Sequence, residues 1–190
     1  FPVLTMRSFA EERRTRTDQL LLTSPVSVWE IVLGKFFALC VIFALPCLAD
    51  AVMILVLAAL GATGTATLAN LAALLCYYLM GCAAIAIGVF LSSLTENQII
   101  AAVAGVAALL LAYMMPSLRS MFTAGSAVAL ALFTAIAAVL SVVLSGLCLF
   151  TPFEEFVNNS FSIPTLVYYL TVTMLFLFFT AQGLEKRRWN

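Results

Sequence analysis

The chain has 190 residues, 64% of them hydrophobic and only 9% charged, with a mean hydropathy of +1.14 and a formal net charge of zero. Soluble domains carry about 25% charged residues, so this chain lacks the surface to face water and reads as an all-α integral membrane protein. The neutral balance gives no argument for nucleic-acid binding, and the absence of histidine excludes His-based metal sites, proton relays and acid–base catalysis.

The chain opens with FPVLTMR, which reads as the tail of an apolar segment meeting the cytoplasm, without an initiator Met, a basic leader or a cleavage site. That beginning suggests a fragment whose preceding transmembrane segments are lost or lie outside this numbering. Residues 4–22 then carry charges at helical spacing. Arg7–Glu11, Glu12–Arg16 and Arg14–Asp18 are i,i+4 pairs, each contributing about 0.2–0.5 kcal/mol where exposed. Met6, Phe9 and Leu20 to Leu22 offer an apolar side. Pro25 disfavours helical geometry at Ser24, and Ser27 restarts the chain as a second helix. The result is a rigid elbow of helix, turn and capped helix. An elbow of this kind could be an amphipathic flank resting on lipid, but lipid favours a basic face with few acids. Glu11, Glu12 and Asp18 interleave with the arginines, a mixture suited to a protein-facing surface.

Four regions have the roughly 20 apolar residues that a spanning helix needs: 31–60, 66–93, 97–115 and 163–183. GATGTAT (61–67), SSLTENQ (92–98) and MMPSLRSMFTAGS (114–126) punctuate them. Capping boxes, in which a Ser or Thr caps the third helical residue and a Glu or Gln reaches back, are predicted at Ser27–Glu30, Thr95–Gln98 and Thr151–Glu154. No strand or barrel alternation is present. Basic residues cluster before the first span (Arg7, Arg13, Arg14, Arg16, Lys35) and after the last (Lys186, Arg187, Arg188), which puts both ends in the cytoplasm. An even number of crossings must then separate them, and counting 126–150 as a full span gives an odd one. That segment is accordingly read as re-entrant, or as an extra helix paired with a missing one. Either choice leaves TPFEEFVNNSFSIP (151–164) on the outer face, with Phe153, Phe156 and Val157 on one side of a short helix lying in the interface.

Two further features bear on chemistry. The five cysteines (Cys40, Cys47, Cys76, Cys82, Cys148) lie in apolar runs without CxxC spacing and read as small core residues. Asp50, four residues after Pro46, is a carboxylate within an apolar span. It is either a polar spot on a substrate path or, the reading favoured, a residue near the outer end of a tilted helix that is longer than it needs to be. An intramembrane protease would need a second aspartate, a Ser/His couple or a zinc motif, none of which accompanies it. A phosphate-binding loop GxxxxGK[ST] is also missing, since Gly34–Lys35 lacks the first glycine and enters a span.

Three stretches carry a family resemblance: MRSFAEERRTRTDQLLLTSPVSVWEIVLGKF (6–36), IAIGVFLSSLTENQIIAAV (85–103) and FEEFVNNSFSIPTLVYYLTVTMLFLFFTAQGLEKRRW (153–189). Together they resemble type-2 ABC exporter permeases, and within these the gliding-motility-type permease. The resemblance implies a type-2 ABC exporter transmembrane fold of six helices, with the first and most of the second absent here. It implies a dimer with a second permease subunit, the same or different, embedded in the bacterial cytoplasmic membrane, with an accessory membrane protein as a further candidate. Two cytosolic ABC ATPase subunits would drive it; ATP and Mg would belong to them, and this chain would hold no cofactor and catalyse nothing. The stretch matching 11–30 would contain the coupling helix, with Glu11, Glu12, Arg14, Thr17, Asp18, Gln19, Ser24 and Pro25 as contacts to the ATPase. Many relatives have glycine at the place of Arg16, and the shorter ones lack a counterpart of 126–150. The same elbow would also serve a membrane scaffold that transmits ATPase motion without moving a substrate.

Overall fold

The computed structural model describes residues 2–15, 27–61, 67–95, 97–125, 149–150, 152–153 and 163–188. Every regular element among them is helical. Two short helices open the chain, α1 (Pro2–Thr5) and α2 (Arg7–Arg14), followed by four long ones: α3 (Val28–Ala59), α4 (Thr67–Leu94), α5 (Gln98–Gly125) and α6 (Ile163–Arg188). Among the described residues, α3, α4 and the Ile163–Lys186 part of α6 are long and apolar enough to cross a membrane; the apolar part of α5, Gln98–Met114, is shorter.

The helix ends follow local chemistry. Ser27 caps α3: its hydroxyl accepts from Glu30 N at 3.3 Å, while the Glu30 carboxylate accepts from Ser27 N at 3.2 Å. A cap of this sort stabilises a helix by about 1 kcal/mol. At the other end of α3, Gly61 takes φ +72°, the left-handed geometry that lets the last carbonyls be met: Leu60 N donates to Val56 O and Gly61 N to Ala58 O. The capping box predicted at Thr95–Gln98 does not form. Asn97, adjacent to the helix, supplies the cap instead, its side-chain oxygen accepting from Ile99 N at 3.0 Å. Thr95 turns back to donate to Leu91 O at the close of α4. Asparagine outcompetes threonine here because its carbonyl reaches the first-turn amides from the residue immediately before the helix. The box predicted at Thr151–Glu154 and the segment 126–148 lie outside the described residues.

Helix α4 is the centre of the bundle. It contacts α6 most extensively, then α3, α5 and the opening helices, and every residue from 80 to 89 on it is buried. Apolar on all sides like α3, it differs in having protein neighbours where much of α3 is left exposed. Two packed regions meet on it. On one side Val32, Phe36, Leu39 and Phe43 of α3 meet Ile85, Ala86 and Val89, closed by Leu177, Ala181 and Leu184 of α6. On the other, Cys76, Met80, Ala83 and Ile87 meet Ala112 of α5, Leu149 and Tyr169. The Tyr169 hydroxyl, fully buried, donates to Leu149 O at 2.6 Å, so its polar tip is satisfied. Tyr78 likewise donates to Cys40 O at 3.3 Å. Cys40, Cys47, Cys76 and Cys82 are all buried free thiols, with Cys40 Sγ 3.6 Å from Cys82 Sγ across the α3–α4 contact.

Small residues on α4 let its neighbours approach. At Gly81 an added Cβ would stand 2.2 Å from the ring of Phe43, which stacks on Tyr78 with centroids 5.8 Å apart and planes 4° from parallel. In a bilayer, where lipid is as apolar as any side chain, such close packing is a principal source of helix association. Beyond Cys47 the pattern changes: no residue of α3 from 48 to 59 is buried. Leu48, Val52, Met53, Leu55 and Val56 are all exposed there.

Replacing Gly81 with leucine forces overpacking against a ring held between aromatic neighbours. It should lower stability by about 1–3 kcal/mol, read as a fall in the thermal unfolding midpoint of the purified protein in detergent. An unchanged midpoint would show that α3 and α4 do not approach as described.

Candidate functional site

The four long helices alternate in direction, so the start of α3, the end of α4, the start of α5 and the end of α6 lie together. The opening helices sit at this same end, and the arrangement around them is specific. Helix α2 begins after Met6, which has no side-chain acceptor to offer the first-turn amides that every helix leaves open. Ser92 of α4 provides it. Its hydroxyl accepts from both Phe9 N and Ala10 N at 3.2 Å and donates to Met6 O at 3.2 Å. Ser92 is fully buried, as is Ala10, and Phe9 is 4% exposed. A residue more than eighty positions away thus acts as the N-cap of α2.

The approach that makes this possible depends on two glycines. A Cβ at Gly88 would stand 2.3 Å from Thr5 Oγ1, and one at Gly105 would stand 3.2 Å from Pro2 Cβ. Buried Thr5 also donates to Pro2 O at 3.3 Å.

A second tie comes from α3. Lys35, two turns into that helix, reaches back to α2. Its ammonium donates to Ser8 O at 2.6 Å, pairs with the Glu12 carboxylate, and stands 4.0 Å from the centroid of the Phe9 ring. Carbonyl, carboxylate and aromatic face are all good partners for one partly buried cation. Helix α2 is therefore held to α4 through its backbone and to α3 through Lys35. Its remaining face is polar and open, with Arg7, Glu11 and Arg14 exposed.

One family model, described as ABC-2 family transporter protein, matches residues 1–182. The chain belongs to the ABC-2 transporter family. It is thus the membrane permease subunit of an ABC transporter, a multi-pass protein whose apolar helices suit a bilayer and which is not itself the catalytic subunit. Permeases of this family generally work with a cytosolic ATPase. No curated protein and no solved structure matches the chain.

Within this permease, the residues expected to meet the ATPase are distributed as follows. Glu11 and Arg14 lie on the open face of α2. Glu12, whose i,i+4 partner Arg16 lies outside the described residues, is bound by Lys35 and half-buried. Thr17, Asp18, Gln19, Ser24 and Pro25 lie outside the described residues. Asp50 is exposed on α3, amid exposed Leu48, Ala49 and Val52. At 1.5 Å per residue it stands about 33 Å along the helix from Val28, close to the depth at which a hydrocarbon core of about 30 Å ends.

The sequence pointed to the charges of the elbow but not to the contacts that seat it. In the sequence Ser92 is one hydroxyl of a polar break and Lys35 one of several flanking positive charges. No local signal marks the seat, because residues 4–22 show helical spacing without a start at Met6, and only that start calls for an acceptor from elsewhere in the fold.

Replacing Ser92 with alanine leaves the buried amides of Phe9 and Ala10 without that acceptor. Each orphaned group costs about 1–3 kcal/mol. The expected outcome is faster amide hydrogen exchange confined to residues 6–14, with α3 and α6 unchanged. Exchange at 6–14 indistinguishable from wild type would contradict the cap.

Proposed function

We propose that this permease subunit is an exporter of the gliding-motility type, moved by a separate cytosolic ATPase that docks on the elbow formed by α2 and the residues leading to Ser27. The observation that carries the reading is the architecture of α2: an amphipathic helix anchored on two spanning helices, with an acid-and-base face left open beside the bundle. A docking helix needs both properties. The open face gives a partner charge complementarity, and the anchors turn displacement of that face into movement of α3 against α4 instead of a local flex. Contacts are assigned to Glu11, Arg14, Thr17, Asp18, Gln19, Ser24 and Pro25, with Glu12, held by Lys35, at the inner edge of that seat. ATP and Mg are handled by the partner.

A second permease subunit completes the transport unit in the bacterial cytoplasmic membrane. Among the described residues nothing buries the apolar run of α3 beyond Cys47, which is left to lipid, the second permease or an accessory membrane protein. Asp50 belongs at the outer rim of that run, where headgroups solvate its carboxylate at lower cost than mid-bilayer burial.

The test is copurification. A Glu11→Lys, Asp18→Lys variant carries two charge reversals on the proposed seat and should retain about a tenth or less of the ATPase held by wild type, a loss of ~1.4 kcal/mol or more in binding. Full retention, with hydrolysis still responsive to the permease, rules out the seat.

A further inference from the structure

We infer that Lys35 is a positioning residue for energy coupling: the contact through which movement of α2 is handed to α3. The inference rests on the docking reading above and adds to it a specific path. Helix α2 has two anchors of different character. The anchor at Ser92 is made of three hydrogen bonds from one fully buried hydroxyl to backbone atoms, with Thr5 pressed on Gly88 beside it. Moving it would expose amides, so it acts as a fulcrum. The anchor at Lys35 is a long flexible side chain gripping a carbonyl, a carboxylate and a ring face, with side-chain exposures of 21% for Lys35 and 33% for Glu12. That anchor can swing while keeping its partners.

Ser8 and Phe9 lie at the pivot that Ser92 holds, so a push on the open face of α2 swings Glu12, one turn further on, and Glu12 pulls α3 by the Lys35 ammonium. Coupling of this kind requires contacts that differ between two states of the assembly, and a cation with three partners of unequal strength can redistribute among them. The reading gives Glu12 a different task from its neighbours Glu11 and Arg14. It faces its own bundle and passes force inward, while they face the partner.

The experiment uses the complete transporter, permease with its ATPase, in lipid nanodiscs. A trifluoromethyl-phenylalanine replaces exposed Phe37, one half-turn past Lys35, and the fluorine resonance is compared without nucleotide and after trapping with ATP and vanadate. Wild type is expected to show two distinct resonances. In Lys35→Met the ATPase still copurifies, but the trapped-state shift falls to a small fraction of the wild-type value. Lys35→Glu and Glu12→Lys each lose the shift, and the double reversal recovers more than half of it, which a merely structural lysine would not do. Should Lys35→Met fail to fold, as judged by its elution profile in detergent, the reversal pair decides alone. A wild-type shift in Lys35→Met, or a double reversal no better than either single change, overturns the inference while leaving ATPase docking intact. A wild-type complex that holds no ATPase defeats the docking reading and this inference with it, whereas one that holds its ATPase but shows one resonance throughout overturns this inference alone.

Discussion

Close approach of helices to α4 is the constraint on which the rest of this structure depends. Gly81, Ala83, Ala84, Ala86 and Gly88 are too small to hold neighbours away, and all are buried. Water supplies no drive for helices to associate within a bilayer, so contact has to come from fit and from hydrogen bonds. The fit at Gly81 admits an aromatic stack from α3 and that at Gly88 admits the opening helix. One helical turn further on, at Ser92, fit gives way to hydrogen bonding. The same helix thus organises the membrane bundle and, at its end, the elbow that distinguishes the molecule.

That juxtaposition explains why a short charged helix is kept beside an apolar bundle. An amphipathic helix tied only by its flexible connections would drift on the lipid surface. Here its first amides are satisfied by a spanning helix and its second turn is gripped by another. Its polar face is left open because the other face has been consumed. In an ABC-2 permease, which does not itself carry the catalytic machinery, this open face is the surface that the docking proposal assigns to a partner.

What the sequence revealed and what it concealed divide by distance along the chain. Ser27 and Glu30 are three residues apart, and their reciprocal cap was legible from spacing alone. Membrane class followed from composition because a chain so poor in charge has no aqueous surface to build. At Thr95–Gln98 identical spacing misled, since Asn97 lay closer to the helix and spacing rules do not rank competitors. The seat of α2 was illegible for a different reason. The partners of Phe9 and Ala10 lie 83 and 82 residues away, and serine at position 92 looks like any other hydroxyl near a helix end. Lys35 had a charge that any positive-inside count would absorb, so nothing local marked it as a bridge.

The glycines of α4 carry a consequence for how such a chain can vary over time. A methyl gained at position 88 has to be given back by Thr5, and one gained at 81 by Phe43, because the space belongs to the pair and not to either member. Drift at these places is therefore expected to come in matched exchanges, bulk passing from one helix to its neighbour while their sum stays fixed.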